Sequence, residues 1–223
     1  MAWGLGVGII IVVAVFVFVG AIILREAATH RFWRRKVDEG DLEMITQLVQ
    51  GEVERWRSER PPKGVPAAVW QGVQGVELVE IGRDHIHAST TAEPQFAFVG
   101  GARKQVTSAL DEAKRIVARL AERLFYDIAH VRPDRLQIDC YSTFHEPGGE
   151  AVQRCILSVV AHRSAAAAID WENDAPEVIA EQLGARYRLD GRGAALPIEP
   201  AAEAARIGTN GSRHESPFEQ PTT

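Results

Sequence analysis

The chain has little cysteine and lacks the short motifs that identify common catalytic and cofactor sites. Its two cysteines, Cys140 and Cys155, are too few for a disulfide framework and form no Cys-x-x-Cys pair. The sequence contains no Gly-x-Ser-x-Gly, no His-Glu-x-x-His, no Walker sequence and no dinucleotide fingerprint. We therefore expect no cofactor, and we expect the two thiols to be small buried core residues.

Positive charge is scarce beyond the first 36 residues. Residues 1–36 contain five of the 25 Lys and Arg but only one of the 30 Asp and Glu, which leaves 20 basic against 29 acidic residues, a net charge of −9. Nucleic-acid binding depends on basic side chains that neutralise phosphates. We therefore expect no nucleic-acid partner.

No charged residue interrupts the almost wholly apolar run from Leu5 to Leu24. An α-helix needs about 20 such residues to cross the hydrocarbon of a bilayer. No Lys or Arg precedes the run, and five follow it within twelve positions. The positive-inside rule then predicts a single-pass anchor in residues 1–24, with the N-terminus outside and the rest of the chain cytoplasmic. A cleaved signal peptide, with Ala27 and Ala28 at the cleavage site, and an anchor of reversed orientation remain alternatives.

Aromatic and basic residues alternate directly after the predicted anchor. This mixture is typical of the lipid headgroup region, so we interpret it as an interfacial collar that contacts membrane lipid, and not as a site for one particular lipid. The predicted membrane-interface residues are Arg31, Phe32, Trp33, Arg34, Arg35 and Lys36.

An amphipathic helix is predicted after Asp41, which can cap its first turn. The apolar residues between positions 42 and 56 recur at spacings of three and four, and this stripe must pack against its own domain, the bilayer surface or a second copy. Two glycines four residues apart in the anchor form a small-xxx-small pair. We therefore consider a homo-oligomer, or a complex with other membrane or cytoplasmic proteins. The residues predicted to associate are Gly4, Gly8, Leu42, Ile45 and Val49.

The proline-rich segment 61–66 is the clearest boundary in the chain, because consecutive prolines cannot continue a helix. It separates a juxtamembrane region at 25–60, which contains the basic collar and the amphipathic helix, from a cytoplasmic domain at 67–196. Residues 197–223 are rich in Pro, Gly, Ser, Ala, Glu and Thr and have hardly an aromatic residue, so we expect a disordered tail there.

Within the predicted domain, grouped strands are separated by helices. Strands are expected at 76–81 and 85–91, in a hairpin around Gly100-Gly101, and at 135–144 and 152–162. This order predicts an α+β fold in which a mostly antiparallel or mixed sheet is covered on one face by a long helix.

The long helix is predicted from Ser108 to Ala129, and a short one from Pro176 to Leu183 with Asp174 as its candidate cap. One stripe of the long helix is apolar and should face the sheet. The opposite face is expected to be solvated and carries Lys114, Arg115, Arg119, Glu122 and Arg123.

His85 and His87 are the most suggestive local pair, because residues two apart in a strand project from the same face and could reach one metal ion. A further ligand would have to come from elsewhere in the fold, with Asp139, His145 and His162 as candidates. The alternative is that His85 and His87, together with Ser89 and Thr91, form the solvated polar face of an exposed sheet.

A second cluster surrounds the predicted turn at 146–149. Asp139, Tyr141, His145 and Glu150 could in principle supply a general acid and a general base. Acidic residues beside a hairpin also serve solubility and turn geometry.

Two functions therefore remain open. The absence of catalytic motifs favours a membrane-anchored, non-enzymatic interaction or assembly module with an acidic α+β domain. The alternative is an anchored enzyme or ligand-binding domain that uses the polar strand face around His85, His87 and Asp139. A concave cleft at those residues would favour the alternative, and a flat or convex sheet face would favour the module.

Overall fold

Most of the strands form one mixed sheet in the computed structural model, which describes residues 16–22, 25, 29 and 31–201. In chain order the strands are β1 (Glu77–Ile81), β2 (His85–Thr91), β3 (Gln95–Val99), β4 (Ala102–Thr107), β5 (Arg135–His145), β6 (Ala151–His162), β7 (Arg186–Leu189) and β8 (Ala195–Leu196). The helices are α1 (Leu42–Ser58), α2 (Ala67–Gln74), α3 (Ala109–Tyr126), α4 (Arg163–Ala166) and α5 (Pro176–Gln182). Residues 16–22 and 31–38 are also helical.

The large sheet has the order β1-β2-β5-β6-β7-β8, and β3 and β4 form a separate two-stranded sheet. Neighbouring strands are antiparallel except β2 and β5, which run parallel with His85 opposite Arg135. A parallel pair needs a crossover connection, and here the connection consists of the β3–β4 hairpin and α3. The predicted α+β class with a mostly antiparallel sheet is confirmed.

One face of the sheet is apolar and is covered by helices. On β2, Ile86 and Ala88 are buried in the core, whereas the alternate residues His85 and His87 are only partly buried. This alternation is typical of a strand with one buried face. α1 packs against β1, α2 against β2, and α3 against β5 and β6, with α5 beside α3. The predicted long helix is therefore one member of a helical layer.

Side-chain caps begin α1 and α3 where the sequence predicts them. Met44 N donates a hydrogen bond to Asp41 Oδ1 at 3.2 Å at the start of α1. Asp111 N donates to Ser108 Oγ at 3.1 Å at the start of α3. Both caps satisfy amide groups that have no acceptor within the helix.

The cap predicted for α5 is wrong. Ala175 occupies the N-cap position, and the Asp174 carboxylate instead accepts a hydrogen bond from Gln182 Nε2 at 3.2 Å. Pro176 stands at the start of this helix, where its missing amide hydrogen leaves no acceptor unsatisfied.

A close approach between α2 and α3 depends on Gly72. A Cβ atom on Gly72 would lie 2.3 Å from Ile116 Cδ1, so a larger residue would displace that side chain. Thr90 Oγ1 on β2 donates a hydrogen bond to the Gly72 carbonyl oxygen at 2.6 Å. The glycine therefore lets α2 contact both the long helix and the sheet.

The apolar stripe of α1 packs inside the domain. Four of its residues are at most 2% exposed and belong to the core that contains the sheet and α3: Ile45, Val49, Val53 and Trp56. Across the proline-rich segment 61–66, Trp70 Nε1 donates a hydrogen bond to the Glu59 carbonyl oxygen at 3.0 Å. Three surroundings were predicted for this stripe, and in the structure it packs against its own domain. The proline-rich segment connects two helices that share one core.

The charged face of α3 is partly covered, which corrects the prediction that it is solvated. Arg123 is only 8% exposed. Its Nη2 donates to Glu59 Oε2 at 2.8 Å and its Nε donates to Asp127 Oδ2 at 2.9 Å. On the same helix, two further ion pairs of 2.7 Å connect α3 to α5: Lys114 with Glu181, and Arg115 with Glu177. The covering elements are the helices on either side of α3.

Among the residues that the structure describes, no helix combines the length and the apolar character that crossing a membrane requires. Residues 16–22 of the predicted anchor are helical. The rest of the predicted anchor, including Gly4 and Gly8, lies outside the described residues.

Candidate functional site

A hydrogen-bonded polar cluster joins strands β2, β5 and β6. His87 Nε2 lies 2.7 Å from Asp139 Oδ2, and Gln137 Nε2 donates to the same oxygen at 3.0 Å. Ser158 Oγ donates to Asp139 Oδ1 at 2.6 Å. The strand register brings these side chains together, because Asp139 lies opposite Ser158 on β6 and opposite Ser89 on β2. We refer to His87, Gln137, Asp139 and Ser158 as the Asp139 cluster.

The Asp139 carboxyl is buried, with 2% of its side chain exposed. Burial opposes ionisation, but the hydrogen bonds from His87, Ser158 and Gln137 outweigh it and lower the pKa of Asp139 below its ordinary value. An ionised carboxylate can only accept hydrogen bonds, so His87 Nε2 is the donor in its contact with Asp139. Because both carboxylate oxygens have donors, the cluster ties three adjacent strands together.

The residues after β8 continue over the Asp139 cluster. Ile198 N donates a hydrogen bond to the Cys155 carbonyl oxygen at 2.9 Å. Ala201 N donates to Ser158 Oγ, and the Ala201 carbonyl oxygen accepts from Gln137 Nε2, both at 3.1 Å. These contacts correct the predicted start of the tail, because residues 197–201, here called the strap, are bound to the sheet. The remainder of the predicted tail lies outside the described residues.

His85 and His87 have different neighbours. His85 Nε2 lies 3.2 Å from Glu80 Oε1 and its Nδ1 lies 3.1 Å from Asp84 Oδ1, whereas His87 contacts Asp139. Within residues 16–22, 25, 29 and 31–201, no group of three or more His, Cys, Asp and Glu side chains is placed to hold a metal ion. The other ligands considered, His145 and His162, are exposed at the ends of β5 and β6.

The residues considered for acid–base chemistry are distributed along β5 and the turn that follows it. His145 and Glu150 are exposed, and His145 is six residues from Asp139, about 20 Å along the strand. Tyr141 is half-buried, and burial, with the nearby charge of Asp139, raises the pKa of its hydroxyl. The turn itself carries a surface ion pair between Glu146 and Arg154 at 2.9 Å. Asp139 thus contacts His87 and not the residues of the turn.

A cavity of about 930 Å³ lies where residues 34–38 meet the β1–β2 turn and the C-terminal end of α3. The basic residues that line it include Arg34, Arg83, Arg132 and Arg163. Its acidic lining residues are Asp38, Asp84 and Asp134. We refer to it as the arginine cavity. His87 and Asp139 are not among its lining residues.

The predicted membrane-interface residues all lie on the helical segment 31–38. Phe32 is 53% exposed and meets Trp33 edge-on, with ring centroids 6.3 Å apart. Arg35 Nε forms an ion pair with Glu39 Oε1 at 2.9 Å. Arg34, in contrast, lines the arginine cavity.

The β3–β4 hairpin exposes apolar side chains. Gly100 and Gly101 have φ values of 62° and 79°, as the tight turn requires. The guanidinium of Arg103 lies 4.0 Å from the centroid of the Phe96 ring. The exposed fractions are 44% for Phe96, 81% for Phe98, 50% for Val99 and 59% for Val106. Residues 95–107 contain two basic residues and no acidic one, in contrast to the acidic remainder of the domain.

The residues predicted to associate through helix faces differ in how exposed they are. Leu42 is 49% exposed, whereas Ile45 and Val49 lie in the core of their own domain. Gly4 and Gly8 lie outside the described residues.

Sequence reasoning did not single out Ser158, Arg132 or Arg163. Ser158 interrupts the apolar run of β6, and a polar residue inside such a run signals a buried hydrogen bond. No comparable signal exists for the arginine cavity, because its residues come from separate segments of the chain. Comparisons of the chain with protein-family models, with curated proteins and with solved structures found no match.

Proposed function

We propose that this chain is a membrane-anchored, non-enzymatic interaction module that binds a partner protein through its β3–β4 hairpin. The observation that carries the proposal is the exposure of the hairpin, where Phe98 is 81% exposed. Contiguous exposed apolar surface marks contacts with other molecules. Aromatic and Arg side chains, which the hairpin supplies as Phe96, Phe98 and Arg103, are enriched in protein interfaces.

The backbone of the hairpin supports the same proposal. Within the described part of the chain, β3 and β4 pair with each other and with no further strand. Each strand therefore has an outer edge whose amide and carbonyl groups can accept an added strand from a partner. The side chains of Arg103 and Lys104 favour a partner segment that combines apolar and acidic residues.

The position of the hairpin also fits such a role. It follows the C-terminal end of β2 and leads into the N-terminus of α3, whereas the arginine cavity lies at the other end of both elements. α3 has 18 residues, which corresponds to a length of about 27 Å. If residues 31–38 adjoin the bilayer, as the predicted anchor implies, the hairpin projects away from the membrane towards other proteins.

The alternative function, an enzyme or ligand-binding domain at the polar strand face around His85, His87 and Asp139, has one supporting observation. His87 and Asp139 are in contact, as a general base and its orienting carboxylate would be. However, Asp139 already accepts hydrogen bonds from three side chains, and the strap lies over Ser158 and Gln137. These contacts favour a structural role for the Asp139 cluster.

Site-specific crosslinking in native membranes tests the proposed interface. A photoreactive amino acid replaces Phe98 in one variant of the full chain and Leu189 in a matched control, since Leu189 is also exposed at 45%. We expect discrete crosslinked species at position 98 and not at position 189, and we expect Lys104→Glu to reduce their yield. Equal crosslinking at both positions would contradict the proposal.

The predicted orientation has its own test. A green fluorescent protein fused after Thr223 should fluoresce, and an alkaline phosphatase fused at the same place should be inactive, because phosphatase folds only outside the cytoplasm. An active phosphatase fusion would reverse the orientation and exclude a cytoplasmic partner.

A further inference from the structure

The arginine cavity has the size of a small-ligand site and an unusual set of side chains. Its volume of about 930 Å³ lies within the range of small-molecule pockets, roughly 300–1,000 Å³. Three separate parts of the chain bring its arginines together: the segment 31–38, the β1–β2 turn, and the region around the starts of β5 and α4. The fold therefore concentrates positive groups at one end of an acidic domain.

Two of these guanidinium groups are held in place by neutral acceptors. Arg163 donates from Nε to the Pro133 carbonyl oxygen at 3.0 Å and from Nη2 to the Phe125 carbonyl oxygen at 2.6 Å. Arg83 Nη2 donates to the Glu39 carbonyl oxygen at 3.2 Å. Carbonyl oxygens fix the orientation of a guanidinium group but do not cancel its charge. Arg83 and Arg163 are thus held in position, and neither forms an ion pair with a carboxylate in the part of the chain that the structure describes.

The other two guanidinium groups have no hydrogen-bond or ion-pair partner among the described residues. Arg34 and Arg132 form no hydrogen bond or ion pair with any described residue. Burial lowers the pKa of Arg163; the charge of Arg132 also lowers it, whereas Tyr126 and Asp134 act in the opposite direction. Two neighbouring cationic groups that repel each other favour the binding of a negatively charged ligand.

In the described part of the chain, the acidic residues of the cavity form no close ion pair with these arginines. Within the described part of the chain, none of Asp38, Asp84 and Asp134 has an oxygen within 4.0 Å of a guanidinium nitrogen of the cavity. The Asp84 carboxylate instead lies 3.1 Å from His85 Nδ1. The four arginines therefore outnumber the three carboxylates, and none of the four forms an ion pair with a described residue.

We propose that the arginine cavity binds a phosphate group through Arg34, Arg83, Arg132 and Arg163. Guanidinium groups donate paired hydrogen bonds that match the geometry of phosphate oxygens. The phosphate could belong to the headgroup of an anionic lipid, since Arg34 follows the end of the predicted anchor by ten residues. Only the lipid source depends on the predicted anchor; the phosphate chemistry depends on the arginines.

The test uses the full chain purified in detergent and compares two double variants. Arg83→Gln with Arg132→Gln removes two charges from the cavity and leaves intact the contacts of Arg163 with the backbone. Arg60→Gln with Arg186→Gln removes the same charge from exposed positions outside the cavity and serves as the control. Native mass spectrometry measures retention of phosphatidylglycerol against phosphatidylcholine, and isothermal titration measures binding of inorganic phosphate.

We expect the cavity variant to bind the phosphate ligand at least about tenfold more weakly than the control, because two charge-assisted contacts are lost. Loss of phosphatidylglycerol retention alone would identify a lipid headgroup, and loss of inorganic phosphate binding alone would identify a soluble phosphate. If the cavity variant and the control retain both ligands equally, the proposal is overturned. Matching unfolding temperatures of the two double variants establish that both proteins are folded. If the two temperatures differ, the single variant Arg132→Gln replaces the cavity double variant.

Discussion

The guanidinium group of Arg123 lies 4.9 Å from the centroid of the Trp56 ring. The ring of Trp70 lies 5.0 Å away from the same group. Trp56 belongs to α1 and Trp70 to α2, so one cation on α3 joins the two helices that flank the proline-rich segment. Together with its ion pairs to Glu59 and Asp127, Arg123 connects segments that the sequence pattern separates.

Replacement of Arg123 should therefore destabilise the whole domain. We expect Arg123→Ala to lower the free energy of unfolding by about 2–4 kcal/mol, because it removes two cation–π contacts and two ion pairs from a largely buried site. Arg123→Lys should recover only part of the loss, since an ammonium group cannot stack on the rings as a planar group does. Urea denaturation measures both.

Arg119→Ala is the matched control for Arg123→Ala. Arg119 lies on the same helix with 39% of its side chain exposed and pairs with Glu122. Its loss should cost less than about 1 kcal/mol. Similar costs at positions 119 and 123 would contradict the role assigned to Arg123.

A second prediction follows from the packing of α1 in the core. Ile45→Ala should lower the free energy of unfolding by about 2–5 kcal/mol, the range for truncation of a buried aliphatic side chain. Leu42→Ala, in the same helix but 49% exposed, should change it by less than about 1 kcal/mol. The effect of Ile45→Ala should not depend on protein concentration. A concentration-dependent effect would place Ile45 in an interface between copies.

The lowered pKa of Asp139 predicts a loss of stability in acid. A carboxyl whose pKa is lower in the folded state stabilises the fold above its unfolded pKa of about 3.9, and this contribution is lost as the pH falls through the folded value. The difference in unfolding free energy between the parent and Asp139→Asn should therefore shrink as the pH falls below about 4. Denaturation curves between pH 2 and pH 7 measure it, and a constant difference across that range would be inconsistent with the lowered pKa.

Removal of the Ser158 hydroxyl should loosen the strap. In Ser158→Ala, the Ala201 amide loses its acceptor and Asp139 loses one donor, a combined cost of about 1–3 kcal/mol. Hydrogen exchange followed by mass spectrometry should show faster exchange in a peptide that covers residues 197–201. Ser164→Ala, at an exposed position, should leave that exchange unchanged. Equal exchange in both variants would mean that the strap does not depend on Ser158.

Local features of the fold could be predicted because they depend on neighbours in sequence. The alternation in His85–Thr91 marks β2 with its observed bounds, and Ser108 caps α3 through a contact only three residues away. The turn at Gly100-Gly101 follows from the conformations that glycine alone adopts without strain.

Contacts between distant segments could not be predicted in the same way. His87 and Asp139 are 52 residues apart, and they meet because β2 and β5 pair in parallel, which no local pattern indicates. The burial of Arg123 depends on α1 and α2 lying beside α3. A charged residue on the polar side of a helix is expected to be solvated, and only the tertiary structure shows the two indole rings that enclose it.

The two thiols in the central strands give the chain an internal reporter of its own opening. Burial raises the pKa of Cys155 to about 11 and also raises the pKa of Cys140. Because the thiolate is the reactive form, an alkylating reagent at pH 8 should modify the core residue Cys140 only when the sheet opens, whereas Cys155, outside the core and beside the strap, also becomes reachable when the strap lifts. The rate at which Cys140 is alkylated, followed by mass spectrometry, therefore measures how often the centre of the sheet opens, and rapid labelling of Cys140 in the folded chain would show that these strands are not its most protected part.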